Sequence, residues 1–173
     1  LELSPAACAL AARTAAANGL TDRLITLPCD LRDRRQLPSA GHFDLAVSNP
    51  PYFPAGGGKT AAGSRGIHRA ELACTMEQLC AAAAYLLRSG GQFCLVYRTE
   101  RLAELMETLR RHRLEPKVLR FVQKNAASAP SLLLMACRKD GGTGLTVQPP
   151  LLLQNGDGTE TPELRRIYFK EKG

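Results

Sequence analysis

The segment Phe43-Asp44-Leu45-Ala46-Val47-Ser48-Asn49-Pro50-Pro51-Tyr52-Phe53 sets Asn-Pro-Pro-Tyr directly behind a short apolar run. These residue types suit one awkward piece of chemistry. An exocyclic amino group attacks poorly because its nitrogen lone pair is delocalised into the ring. The side-chain oxygen of Asn49 and a proline carbonyl, at Pro50 or Pro51, can each accept one N–H of such a group. Holding both hydrogens draws the nitrogen towards tetrahedral and frees the lone pair for in-line attack. The prolines restrict the loop backbone, and Tyr52 offers a ring face on which an extruded base can stack. The plainer alternative is a proline-rich strand-to-loop turn capped by Asn49.

Other candidate groups are weaker. Gly56-Gly57-Gly58-Lys59-Thr60 invites a phosphate-loop reading, but that motif needs a glycine where Phe53 stands, with a strand before it and a helix behind. A substrate loop that carries Lys59 and Arg65 is the better reading. His68 reads as a solvated or capping residue, because amino methylation requires no proton removed before transfer. The cysteines at 8, 29, 74, 80, 94 and 137 lie in apolar stretches without Cys-x-x-Cys spacing, so they read as buried thiols and not as metal ligands or disulfides.

The elements that must position these groups come from a chain of 173 residues, 45% apolar and 23% charged, which excludes a disordered polymer and suits one domain over residues 1–173. The longest apolar run, Leu79–Leu87, is far below the ~20 residues of a membrane helix. No signal peptide is apparent at Leu1, and the reduced cysteines imply a reducing compartment, most simply the cytoplasm. The net charge of +7 is concentrated in residues 98–124, which hold eight basic against four acidic side chains. Arg110, Arg111 and Arg113 in that stretch could contact nucleic-acid phosphate or form a solvated helix face.

Ser4-Pro5 opens a helix that Asn18-Gly19 closes. Leu24–Cys29 reads as a strand, with Pro28 arguing for a sheet edge, and Phe43–Ser48 as a buried one. Thr75-Met76-Glu77-Gln78 has capping-box spacing and starts a helix running to Leu87. Ser89-Gly90-Gly91 turns into a strand Gln92–Tyr97, then Thr99–His112 is an amphipathic helix with Leu102, Leu105, Met106 and Leu109 on one face. Val118–Val122 and Leu132–Arg138 are strands with no helix between them and so antiparallel. The residues after Gly144 read as a Pro/Gly-interrupted tail. Alternating strands and helices predict an α/β layer with a mostly parallel sheet, and a loop after a buried strand is where such sheets keep their ligand crevice.

The whole resembles the amino-methyltransferases that use S-adenosylmethionine, and among them the bacterial valine-tRNA adenine-N6 methyltransferases. The resemblance rests on Glu2-Leu3-Ser4-Pro5, Asn18-Gly19-Leu20, Cys29-Asp30-Leu31, Ser48–Phe53, Cys74-Thr75, Arg98–Leu105, Leu114-Glu115-Pro116 and Thr161-Pro162-Glu163-Leu164-Arg165-Arg166-Ile167-Tyr168. It implies a Rossmann-like class I methyltransferase sheet with an antiparallel last strand, and methylation of an adenine amino group next to the anticodon of valine tRNA. The substrate partner would be tRNA, with no metal and no membrane. Glu2, with Leu3 beside it, would accept from the cofactor's ribose hydroxyls, Asp30 from its adenine amino group, and Leu31 would pack on that ring. Asn49 would border cofactor and target alike. Asn49, Pro50 and Pro51 would hold the target amino group, with Tyr52 or Phe53 stacking on the base. Lys59, Arg65, Arg110, Arg111 and Arg113 would meet RNA.

The fold it resembles begins with a strand and a Gly-rich turn for the cofactor's methionine end. No Gly-x-Gly follows a strand here, so the chain reads as roughly the C-terminal two-thirds of such a domain. Asn-Pro-Pro-Tyr serves protein-glutamine methylation equally well, and a non-catalytic RNA-binding fragment is the reading from a different class.

Overall fold

The computed structural model describes residues 1–50 and 74–169. Helix α1 spans Pro5–Ala17, with the Ser4 hydroxyl accepting from Ala7 N and Pro5 in the first turn. It ends at Asn18, after which Gly19 takes a left-handed backbone (φ +65°) that a side chain would disfavour. Strand β1 (Phe43–Ser48), helix α2 (Met76–Leu86), strand β2 (Leu87–Arg98), a 3-10 turn Thr99–Arg101 and helix α3 (Leu102–Arg111) follow. The chain then forms β3 (Leu114–Gln123), β4 (Leu132–Lys139), β5 (Thr146–Leu152) and α4 (Pro162–Ile167). The capping box at Thr75 forms in full: its hydroxyl accepts from Gln78 N at 3.2 Å, and the Gln78 side chain accepts from Thr75 N at 2.8 Å.

The five strands make one sheet in the order β1-β2-β4-β3-β5. Both β2 and β3 pair antiparallel with β4, while β1 runs parallel to β2 and β5 parallel to β3. Four strands therefore share one direction and β4 opposes them. This is a Rossmann-like sheet, mostly parallel, with the strand expected at Leu132–Arg138 as the reversed one.

Alternation along the strands makes the core. Phe93, Leu95 and Tyr97 of β2 and Leu133, Met135 and Cys137 of β4 face α2 and α3, which contribute Leu79, Cys80, Ala83, Leu105 and Leu109. All six cysteines are free thiols, and burial pushes Cys80 up to about 12. No helix among the described residues is long and apolar enough to cross a membrane.

Three segments differ from the sequence-based expectation. Ser89-Gly90-Gly91 lies inside β2: the partner of Phe43 is Leu87 but that of Leu45 is Gln92, so these residues form a bulged excursion. Gly90 has φ +77°, and a Cβ on Gly91 would lie 2.9 Å from the Arg88 carbonyl. Among the described residues Leu24–Cys29 forms a single parallel bridge, Glu2 with Pro28. Glu2 N donates to Leu27 O and Cys29 N to Glu2 O, and Pro28 between them has no N–H to extend a ladder. Finally, the region after Gly144 is not an irregular tail. It supplies β5, which as an edge strand tolerates Pro149 and Pro150, and α4, capped by the Thr161 hydroxyl.

Candidate active site

Parallel strands place their C-terminal ends together, and here β1 ends at Ser48 beside Leu95 of β2. A cavity of about 650 Å³ opens at that end. One wall is Leu1, Glu2 and Leu31; the floor is Ser48, Asn49 and Pro50; the far side is the start of α2, Tyr97, Arg101 and the exposed edge of α3. The site therefore lies in the crevice where open α/β sheets bind ligands.

Local order fixes the Glu2 carboxylate. Ser4 N donates to its Oε1 at 2.8 Å, within the turn that caps α1. No other described donor is placed on it, so Oε2 can accept from a vicinal diol. Asn49 is exposed at the mouth of the loop, and Pro50 is half-buried beneath it. These positions bring together Glu2, Leu31, Asn49 and Pro50, four of the residues expected to act. Pro51, Tyr52, Phe53, Lys59 and Arg65 lie outside the described residues.

Leu3 and Asp30 are not on the cavity wall. The Asp30 carboxylate is taken by its neighbour: Oδ1 accepts from Arg32 N and Nε, and Oδ2 from Nε and Nη2 at 2.7 Å. These bonds to Arg32 hold the Asp30 carboxyl below its ordinary value. Serving a cofactor amino group from Asp30 would require Arg32 to let go of at least one oxygen.

The three arginines expected at RNA separate in space. Arg111 reaches the cavity, where its guanidinium meets Glu77 at 2.9 Å and Glu107 at 2.6 Å. Arg110 pairs with Glu115 at 3.3 Å and Arg113 with Asp140 at 2.8 Å, and neither lines the cavity beside Asn49. Bound in this way, the stretch 98–124 presents less free positive charge than its sequence suggests.

Sequence reasoning missed the acidic side of the site. Glu77, Glu104 and Glu107 line the cavity with Glu2, against Arg101 and Arg111. Arg101 is clamped by Glu104 and lies 5.5 Å over the Tyr97 ring. Tyr97 is buried, and burial raises its phenol above the ordinary value. The capping box placed Glu77 in the first turn of α2, which was a usable signal; nothing in the spacing related it to Glu104 or Glu107. Four carboxylates against two guanidinium groups suit a ligand of net positive charge with hydroxyls to donate. A sulfonium cofactor carrying a ribose fits that description.

The sheet and its crevice are those of a Rossmann-like fold. In sequence the chain is similar to the tRNA1(Val) (adenine(37)-N6)-methyltransferase of Porphyromonas gingivalis, at 28% identity over 172 residues, covering 96% of this chain and 67% of that protein. It is 28% identical over 141 residues to the protein of the same name from Dickeya chrysanthemi, covering 82% of this chain and 55% of that one. The chain thus spans between about half and two-thirds of these relatives. No protein-family model matches it. Among solved structures it superposes on a predicted O-methyltransferase from Agrobacterium tumefaciens with a TM-score of 0.75 at 20% identity, covering 96% of this chain and 74% of that one. A geranyl diphosphate C-methyltransferase from Streptomyces coelicolor, solved with Mg2+, geranyl diphosphate and S-adenosyl-L-homocysteine, gives 0.54 at 12% identity, covering 79% of this chain and 62% of that one.

Proposed function

We propose that this chain is the catalytic part of a methyltransferase that acts on the exocyclic amino group of an adenine in tRNA, next to the anticodon of valine tRNA, in the cytoplasm. The observation that carries the reading is the shared cavity: Asn49 and Pro50, at the end of β1, face the same space as the Glu2 carboxylate. S-adenosylmethionine, when bound there, supplies an electrophilic methyl group on a positively charged sulfur.

The chain's own residues divide the remaining work. Glu2 receives ribose hydroxyls on the oxygen that Ser4 leaves open, and Leu31 covers an adenine face. The Asn49 side-chain oxygen accepts one N–H of the target amino group and the Pro50 carbonyl accepts the other. Both acceptors are uncharged, so they localise the lone pair on nitrogen without deprotonating it. After transfer the nitrogen bears the new methyl group, two hydrogens and a positive charge; one of those protons passes to water, and the single N–H that remains can be held by only one of the two acceptors. On this reading Pro51 acts with Asn49 and Pro50 on the target amino group, Tyr52 or Phe53 is the stacking partner of the base, and Lys59 and Arg65 are contacts for RNA phosphate. The kinship with the valine-tRNA enzymes supports tRNA as substrate over a protein amide.

The test is to incubate the protein with methyl-labelled cofactor and unmodified valine tRNA, digest the RNA and separate its nucleosides. Label in N6-methyladenosine is the expected result. Label in protein glutamine, or in no RNA nucleoside, would overturn the proposal.

A further inference from the structure

From Leu31, which lines the cavity beside Asn49, the polar stretch Asp30-Leu31-Arg32-Asp33-Arg34-Arg35 continues to the C-terminal end of α2, where Arg34 meets Tyr85 and, further along, Gly41 N donates to Tyr85 O and His42 N to Leu86 O. Carboxylates and guanidinium groups pair two residues apart: Asp30 with Arg32, and Asp33 with Arg35 at 3.0 Å. The bonds to Asp33 from Arg35 and Gln36 lower its carboxyl to about 2, so that pair stays ionised. This spacing leaves Arg34 over. No carboxylate among the described residues meets it, and its guanidinium lies 4.3 Å over the ring of Tyr85.

Arg34 lines a cavity of about 650 Å³ together with Arg32, His112, Arg113 and Lys139, and no Asp or Glu lines it among the described residues. Lys139 Nζ donates to the Leu87 carbonyl at 2.6 Å, a neutral acceptor that holds the ammonium in place without cancelling its charge. Arg32 is paired with Asp30, His112 with Glu77 and Arg113 with Asp140, so the positive charge of this concavity rests on Arg34 and Lys139, whereas the cavity beside Asn49 is lined by more acids than bases. The two cavities are neighbours, since Leu31 lines both; Arg34 meets α2 at Tyr85, about 12 Å of helix at ~1.5 Å per residue from Glu77 in the cavity beside Asn49.

We propose that the cleft formed by Arg34, Tyr85 and Lys139 is a second RNA-docking site, which takes the phosphodiester backbone at a distance from the methylated base. The inference deepens the tRNA reading and rests on it for the identity of the RNA, but Arg34, Tyr85 and Lys139 have no part in that reading. Arg34 and Lys139 each neutralise one phosphate, and Tyr85 holds the Arg34 plane in place.

Binding of valine tRNA and of an unrelated RNA duplex is measured by filter retention across a salt series. The wild type is compared with Arg34→Gln/Lys139→Gln, with Arg34→Glu, and with the control Arg13→Gln/Arg23→Gln, which removes two exposed cations elsewhere. Loss of two phosphate contacts makes the slope of log K against log salt shallower by about 1.4 to 1.8, which weakens binding about 25- to 60-fold at 0.1 M salt. Arg34→Glu alone, at an exposed position that leaves the fold intact, flattens the slope by about one unit. Slopes equal to wild type, or an equal loss in the control, overturn the proposal. Slopes that fall in the cleft variants while wild type methylates no tRNA would leave the cleft standing and remove the tRNA reading. Methylation of tRNA with unaltered slopes would do the reverse.

Discussion

Replacing Asn49 by alanine should stop the chemistry and leave the rest of the protein alone. Asn49 is exposed and follows the last residue of β1, so its truncation opens no core cavity and the melting temperature should hold within about 2 °C. The wall made of Glu2 and Leu31 is untouched, so S-adenosylmethionine affinity should stay within a few-fold by calorimetric titration. What is lost is one of two acceptors on the target amino group. A single positioned polar contact of this type contributes about 100- to 1,000-fold in rate, or ~2.7–4 kcal/mol of barrier. Single-turnover methylation, with enzyme in excess over tRNA, isolates that step from product release. Asn49→Asp keeps an acceptor oxygen at the same reach and should retain more of the rate than Asn49→Ala. If Asn49→Ala turns over at the wild-type single-turnover rate, or if alanine and aspartate are equally impaired with cofactor affinity lost, the amino-group role of Asn49 is wrong.

Two further outcomes follow from other parts of the fold. Iodoacetamide at pH 8, followed by peptide mass spectrometry, should modify half-buried Cys74 and Cys94 well before Cys80 and Cys137; burial raises all four thiols, but Cys80 to about 12, where the thiolate is about a thousandfold scarcer than for an ordinary cysteine. Early labelling of Cys80 would mean that α2 is not seated on the sheet. Glu163→Gln should release α4 from β3, since Arg120 donates to both carboxylate oxygens, at 2.7 and 2.8 Å. Glu163 is more than a third exposed, so solvent screening limits the loss to about 0.5–1 kcal/mol, or about 1–4 °C in melting temperature. Arg120 lowers the Glu163 carboxyl below its ordinary value of 4.5, so this contribution is present above pH 4.5 and disappears as pH falls through the lowered value. A wild type and variant with the same stability at pH 7 would refute the pairing.

Much of the fold was legible because it is written in local signals. Ser4-Pro5, Asn18-Gly19 and the Thr75–Gln78 box each specify a helix end through bonds that involve only near neighbours, and each forms. The alternation of Leu133, Met135 and Cys137 with less buried residues is likewise a property of one strand. Leu24–Cys29 failed for the complementary reason. A strand needs a partner as well as an apolar run, and among the described residues the structure gives this segment only Glu2. The region after Gly144 failed in the opposite sense: Pro149-Pro150 reads as a break, yet an edge strand has one side whose N–H groups need no partner. Arg120 Nε also donates to the Pro149 carbonyl at 2.9 Å, a bond spanning 29 residues that no window of sequence displays.

The site divides along the same line. Asn49-Pro50 was legible because a contiguous motif carries its own geometry at the end of β1. The electrostatics around it were not, because they depend on which charges from distant elements share a space. Counted along the chain, residues 98–124 are the basic part and should draw RNA to the base-binding end. In space, Glu77 from the start of α2 meets Arg111, and its other oxygen meets His112 at 2.7 Å. Glu104 and Glu107 come to the same rim on α3, so the crevice ends with more acids than bases. Meanwhile the balanced first 48 residues yield Arg34, a cation left over by the pairing of its neighbours. Arg34 and Lys139 thus gather in the cavity at Tyr85, and Glu2, Glu77, Glu104 and Glu107 in the neighbouring one at Asn49, a division that neither segment's net charge foretells because it depends on which elements meet in space.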